Sequence, residues 1–198
     1  MRYLLIFVAI ACCTNYSLAQ KNGVSKNEID LKKSRVEWTG KKLTGEHYGE
    51  IRLNQGYLIF SKRRLTGGHF EMDMNTIACT DITDEKSNRR LVDHLKSDDF
   101  FSASKFPNSK FKITGVEYKS ENNYLITGNL SIKDKTNILS FPATVTSENG
   151  VNTAKATMVF DRSKYDIKFG SQSFFENLGD KLVYDDIEIK IELILMAK

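Results

Sequence analysis

The sequence predicts an all-β chain whose antiparallel strands close into an extended barrel, with two short helices near the barrel ends. Three observations carry this expectation. Asp186 to Leu195 alternates apolar and charged residues with a period of two, so one face of an extended strand is greasy and the other wet. At roughly 3.4 Å per residue that strand runs over about 30 Å, which suits the wall of a barrel better than a small open sheet. Further strand-like runs follow one another along the chain, and only two segments carry helical spacing.

The chain opens with a segment that stands outside the barrel. Met1-Arg2-Tyr3 is positively charged, Leu4 to Cys13 is a short apolar run, and Ser17-Leu18-Ala19 has the small-x-small pattern of a secretory cleavage site. Residues 1–19 therefore read as a signal peptide cleaved before Gln20, and the product as exported, periplasmic or secreted. A rival reading lipidates Cys12 as the first residue of a lipoprotein, but the segment ahead of it is short and Ser17-Leu18-Ala19 is the better processing site. The apolar run is also too short for the roughly 20 residues of a membrane-spanning helix. Residues 20–33 are polar and aperiodic and read as a flexible leader, and 34–198 as one barrel domain.

Within that domain the expected strands are Arg35 to Leu43, Glu46 to Leu53, Tyr57 to Lys62, Gly68 to Ile77, Lys110 to Lys119, Tyr124 to Lys133, Ile138 to Ser147, Val151 to Asp161 and Tyr184 to Met196. Glu121-Asn122-Asn123 and Glu148-Asn149-Gly150 have hairpin-turn chemistry, so consecutive strands pair antiparallel and closure removes exposed edges. Pro142 falls inside a strand-like run, which marks an edge, a bulge or a strand start. A helix is expected over Glu85 to Lys96, where Leu91, Val92 and Leu95 share a face. A second is expected over Ser173 to Gly179, with capping-box spacing and a terminal glycine. Phe100-Phe101 and Phe174-Phe175 are the bulky pairs available to plug a barrel end.

Composition excludes several function classes. The formal charge of +4 is mild, and Lys32-Lys33, Lys62-Arg63-Arg64 and Arg89-Arg90 are scattered among acids, so no nucleic-acid track is expected. Once residues 1–19 leave, Cys79 stands alone, without a disulfide, as a small buried hydrophobe. His47, His69 and His94 belong to no metal spacing, and Asp84, Asp93, Asp98 and Asp99 lack a calcium-loop pattern, so no metal site is expected. Gly40 to Gly45 has the glycine spacing of a phosphate loop, but Glu46-His47 stands where Lys and Ser or Thr are required. No catalytic constellation is visible.

The positive signal is the apolar strand faces. Phe111 and Ile113; Tyr124, Ile126, Leu130 and Ile132; Met158 and Phe160; Ile187, Ile189, Ile191 and Leu193; and Phe70, Met72 and Met74 each recur at two-residue spacing. Such rows end as a dry core in most proteins. A barrel of about eight strands is also wide enough to hold one slender ligand, so the same rows, with Trp38, can serve as a binding wall.

Three blocks carry a family resemblance. Phe160-Asp161-Arg162-Ser163-Lys164-Tyr165-Asp166-Ile167, continued by Phe169-Gly170-Ser171 and Asn177-Leu178-Gly179-Asp180-Lys181, resembles the C-terminal signature of the YceI-like proteins. Leu91-Val92-Asp93-His94-Leu95-Lys96-Ser97-Asp98-Asp99-Phe100-Phe101, with Phe106-Pro107 and Phe111 after it, is similar to another of their motifs, and Ile126 to Ile132 to their central Gly-x-Leu strand. The resemblance implies a lipocalin-like barrel of about eight strands. It also implies an apolar tunnel for a polyisoprenoid or other amphiphilic lipid, such as an isoprenoid quinone or polyprenyl lipid. Many members place a histidine several residues before the glycine of the first long strand, whereas here His47-Tyr48-Gly49 is compact.

The expected function is thus a non-enzymatic lipid carrier, with no other cofactor. Polar residues should be few and near one mouth; His47, Arg162, Asp161 and Tyr165 are the headgroup-side candidates, though Asp161-Arg162 reads better as a structural ion pair. Two alternatives stand beside it: an extracytoplasmic interaction module with a filled core, and an enzyme acting on such a lipid with His47 or His94 as acid–base. Oligomeric state is open.

Overall fold

Among the described residues the alternating pattern becomes eleven strands: β1 (Val24–Glu28), β2 (Arg35–Lys42), β3 (Gly45–Glu50), β4 (Leu53–Ser61), β5 (Arg64–Asp73), β6 (Ala78–Cys79), β7 (Asn108–Ser120), β8 (Asn123–Ile132), β9 (Lys135–Glu148), β10 (Val151–Asp161) and β11 (Val183–Ile194). One α-helix, α1 (Glu85–Lys96), lies between β6 and β7. This computed structural model describes residues 23–148 and 151–196. The expected signal peptide, Cys12 and Cys13, and Asn149-Gly150 of one expected turn lie outside the described residues. Among the described residues, no helix is long and apolar enough to cross a membrane.

The strands form one antiparallel sheet in the order β1-β4-β5-β7-β8-β9-β10-β11-β2-β3-β6. From β7 to β11 each strand pairs with the next, as the short connections require. The sheet curls on itself. Ile29, just after β1, bridges Leu195 just after β11. The Asp30 N–H donates to Ile194 O at 2.8 Å and the Met196 N–H to Glu28 O at 2.9 Å, tying the two flanks at one end. Alternation sets which side faces in: Tyr124, Ile126, Gly128, Leu130 and Ile132 of β8 are all buried, while the residues alternating with them are not.

Eight of the strands have eight residues or more, and the shorter β1, β3 and β6 bring the total to eleven, above the expected number of about eight. β1 corrects the leader: Val24–Glu28 pairs along β4, from Val24↔Ser61 to Glu28↔Tyr57. Its polar sequence hid it, because only Asn27 in that strand is buried. Pro142 stands one residue past the last β9–β10 pair, Ala156↔Ala143, where β9 has become an edge on that side.

Helix α1 forms over the expected residues. The Asp84 carboxylate caps it, accepting from the Ser87 N–H at 2.8 Å. The second expected helix does not form. Ser173 donates its hydroxyl to Asp185 Oδ2 at 2.7 Å, and both Asn177 and Gly179 turn left-handed, with φ of 56° and 51°. Helical hydrogen bonds cannot run through two such residues, and a single 3-10 turn, Gly179–Lys181, is what remains.

Gly128 of β8 shows why the central strand motif needs a glycine. A Cβ there would lie 2.4 Å from Phe111 Cζ and 2.7 Å from Lys112 O, so its absence makes room for the Phe111 ring. Gly128→Ala is expected to cost about 1–3 kcal/mol through overpacking, read as a lower urea midpoint at unchanged m-value.

Candidate ligand cavity

The inward faces enclose a cavity of about 280 Å³. Its walls are Val36 and Trp38 of β2, Met72 of β5, Met74, Leu130 and Ile132 of β8, Met158 and Phe160 of β10, and Ile187 and Ile189 of β11. Leu91, His94 and Leu95 of α1, with Phe100, Phe101 and Phe169, cover it. Lys41, Lys42, His47, Arg162 and Val183 stand at its margin, and among the described residues no carboxylate lines it.

Fifteen residues were expected to form the wall, and they divide. Nine of them, Trp38, Met72, Met74, Leu130, Ile132, Met158, Phe160, Ile187 and Ile189, line this cavity. Phe70, Phe111, Ile113, Ile126 and Ile191 instead border a residual void of only about 40 Å³ toward the other end. There Phe111 is fully enclosed, its ring 5.4 Å from Phe70 and 5.3 Å from Phe141. Tyr124 lines neither void and packs edge-on against Tyr118 at 5.7 Å. The expected through-tunnel is therefore a pocket, because three phenylalanine rings from β5, β7 and β9 stop one end.

Sequence reasoning missed Val36, Ile51, Ile77 and Phe169 as lining residues. Val36 lies in phase with Trp38, so its signal was present in the period of two. Phe169 lies in an aperiodic loop, where no pattern could have placed it.

The mouth is held by carboxylates behind the lining. His47 Nδ1 lies 2.8 Å from Asp81 Oδ2, so that nitrogen carries the proton. Asp81 Oδ1 accepts from the Tyr48 N–H at 3.0 Å and from Cys79 Sγ at 3.2 Å. Burial pulls the Asp81 carboxyl up, but hydrogen bonds from His47, Tyr48 and Cys79 outweigh it and hold its pKa below the usual carboxylate range. Burial pushes the Cys79 thiol up, as suits an inert buried sulfur. Gly49 lets β6 lie this close, since a Cβ there would sit 1.9 Å from Ala78 O. The same Ala78 carbonyl accepts from Trp38 Nε1 at 3.1 Å and fixes the indole in the wall. His94 is half-buried between Phe100 and Phe169, at 5.0 and 4.5 Å between ring centres, with Nε2 3.3 Å from Asp99.

Arg162 touches the cavity but is committed elsewhere. It is 1% exposed and donates to Tyr184 O at 3.2 Å, Ile167 O at 3.2 Å and Val183 O at 3.0 Å. Its ionic partner is Asp185, 3.2 Å away, and not the adjacent Asp161. Asp161 caps the turn Arg162–Tyr165 through the Ser163 N–H at 2.9 Å, which corrects the expected Asp161-Arg162 pair. Burial pulls the Arg162 guanidinium down, with Asp185 and Asp161 opposing. Tyr165 is fully enclosed against Phe160, outside the cavity lining, and burial pushes its phenol up to about 12. Of the headgroup-side candidates, only His47 stands at the mouth with a side chain not wholly enclosed.

A family model for the YceI-like domain matches residues 28–195. The chain belongs to the YceI-like family. A curated relative, the UPF0312 protein of Shewanella denitrificans, is 31% identical over 100 residues, 50% of each chain, so this chain spans about half the length of the relative it matches. Among solved structures, Burkholderia cenocepacia BcnA superposes with a TM-score of 0.70 at 22% identity, covering 85% of this chain and 99% of BcnA. A polyisoprenoid binding domain from Saccharophagus degradans gives 0.61 at 11% identity over 90% and 100% of the two chains. The Campylobacter jejuni YCEI protein gives 0.53 at 18% over 68% and 75%. At these identities the likeness shows a shared fold. In this YceI-like barrel Arg162 of the C-terminal signature is structural: it ties the turn after β10 to the start of β11.

Because the Asp81 pKa is depressed in the folded state, its contribution to stability is complete above its unfolded pKa, near about 4, and is lost as pH falls through the folded value. Urea midpoints measured downward from pH 5 are expected to fall less steeply in Asp81→Asn than in the parent protein. Equal slopes would show that the Asp81 contacts carry no net stability.

Proposed function

We propose that this YceI-like protein is an exported, non-enzymatic carrier that holds the hydrocarbon chain of a polyisoprenoid or other amphiphilic lipid in the β-barrel pocket. The carrying observation is the pocket itself: aliphatic, aromatic and Met side chains form its walls, and its charged groups, all basic, stand at the margin. The shared fold with a domain described as polyisoprenoid binding supports the same reading.

Magnitudes favour a long chain. Ten buried methylenes gain roughly 8 kcal/mol at about 0.8 kcal/mol each, against an association cost of about 4–15 kcal/mol. At about 280 Å³ the pocket lies just below the usual range for ligand sites, so it encloses one segment of such a chain.

Organic extraction of the purified protein followed by mass spectrometry is expected to yield an isoprenoid lipid or, from lipid-free protein, uptake of an added isoprenoid quinone. Neither result appearing would overturn the carrier reading. Met158→Trp, which fills the pocket, should weaken quinone binding by more than about tenfold while the fold persists, as monitored by circular dichroism. Export is tested separately: N-terminal sequencing of the mature protein should begin at Gln20, and a chain beginning with a lipidated Cys12 would replace that reading.

A further inference from the structure

Around the pocket mouth the barrel exposes aromatic surface that its own fold does not cover. The tip of the β2–β3 hairpin meets the loop 168–182 there: the Leu43 N–H donates to Leu182 O at 3.3 Å, and Val183 pairs with Lys42. The loop is pinned rather than loose, since the Val183 N–H donates to Gly170 O at 2.9 Å and the Ser171 and Ser173 hydroxyls donate to Asp185 at 2.8 and 2.7 Å. Yet Phe169, Phe174 and Phe175 are 45%, 42% and 49% exposed, and Leu43 53%. Among the described residues these are the only exposed phenylalanines, and all three lie in this one loop. Phe169 also covers the pocket, so the exposed patch is continuous with the cavity interior.

We propose that this rim seats the mouth on the surface of a lipid bilayer, with Leu43, Phe174 and Phe175 entering the interfacial layer. The inference rests on the carrier reading, because a lipid tail leaving a membrane must cross water unless the pocket opens onto the acyl layer itself. Charge on the rim is mixed. Lys41 and Lys42 form no ion pair among the described residues and Lys168 lies over the Phe174 ring at 5.2 Å, while Glu46, Glu176 and Asp180 share the same margin. Docking is therefore driven by aromatic insertion, with lysine stems reaching to the headgroups, and not by a polybasic patch.

The mature protein should float with vesicles of phosphatidylethanolamine and phosphatidylglycerol. The double variant Phe174→Ser, Phe175→Ser should lose more than about tenfold of that partitioning. Tyr118→Ser, near the far end of β7, should leave it unchanged. Trp38, the one tryptophan of the chain and part of the wall, reports binding of a two-unit isoprenoid quinone without vesicles, and the double variant should retain it. Flotation of the double variant at the parent level, no flotation of the parent, or a parent dimer that the double variant converts to monomer would each overturn the docking role, as would loss of flotation together with loss of quinone binding. Failure of the parent protein to bind quinone would strike the carrier reading instead, leaving the flotation result to decide the rim.

Discussion

One packing constraint determines where this barrel is solid and where it is hollow. An inward strand face must be covered, and at one end Phe70, Phe111 and Phe141 cover one another across β5, β7 and β9. Gly128 makes that possible by leaving space for the Phe111 ring. At the other end the inward residues Met72, Met158, Ile187 and their neighbours line a cavity. The hollow is thus set by which side chains distant strands bring together, along rows of identical polarity.

A cavity costs stability and persists only where its surroundings cannot relax into it, and polar anchors hold this one open. Arg162 binds three backbone carbonyls and Asp185, fixing the start of β11 against the turn after β10. Asp81 gathers His47, the Tyr48 backbone and Cys79, so β6 and the segment leading into α1 cannot drift from β3. Charge sits behind the wall, where it is compensated, and apolar groups face the void.

The strand rows were legible because period two is dictated by the pleat, and β10 spans Val151–Asp161 as the pattern anticipates. The α1 span was equally legible from helical spacing. Burial depth was not. Phe111 and Phe160 look alike in sequence, yet one plugs the barrel and the other lines its pocket, because the outcome depends on rings contributed by distant strands. Local chemistry also misled: Ser173 and Glu176 have capping-box spacing, but Asp185, a residue of another element, takes the Ser173 hydroxyl. Arg162 next to Asp161 suggested an ion pair, whereas the turn directs the guanidinium across to β11.

The phenylalanine stopper has a directional consequence. On the carrier reading proposed above, a cul-de-sac admits a flexible lipid in one orientation, tail foremost, and returns it headgroup foremost through the same doorway. Uptake and delivery then become one passage run in opposite senses, and whatever faces the doorway decides which of them occurs.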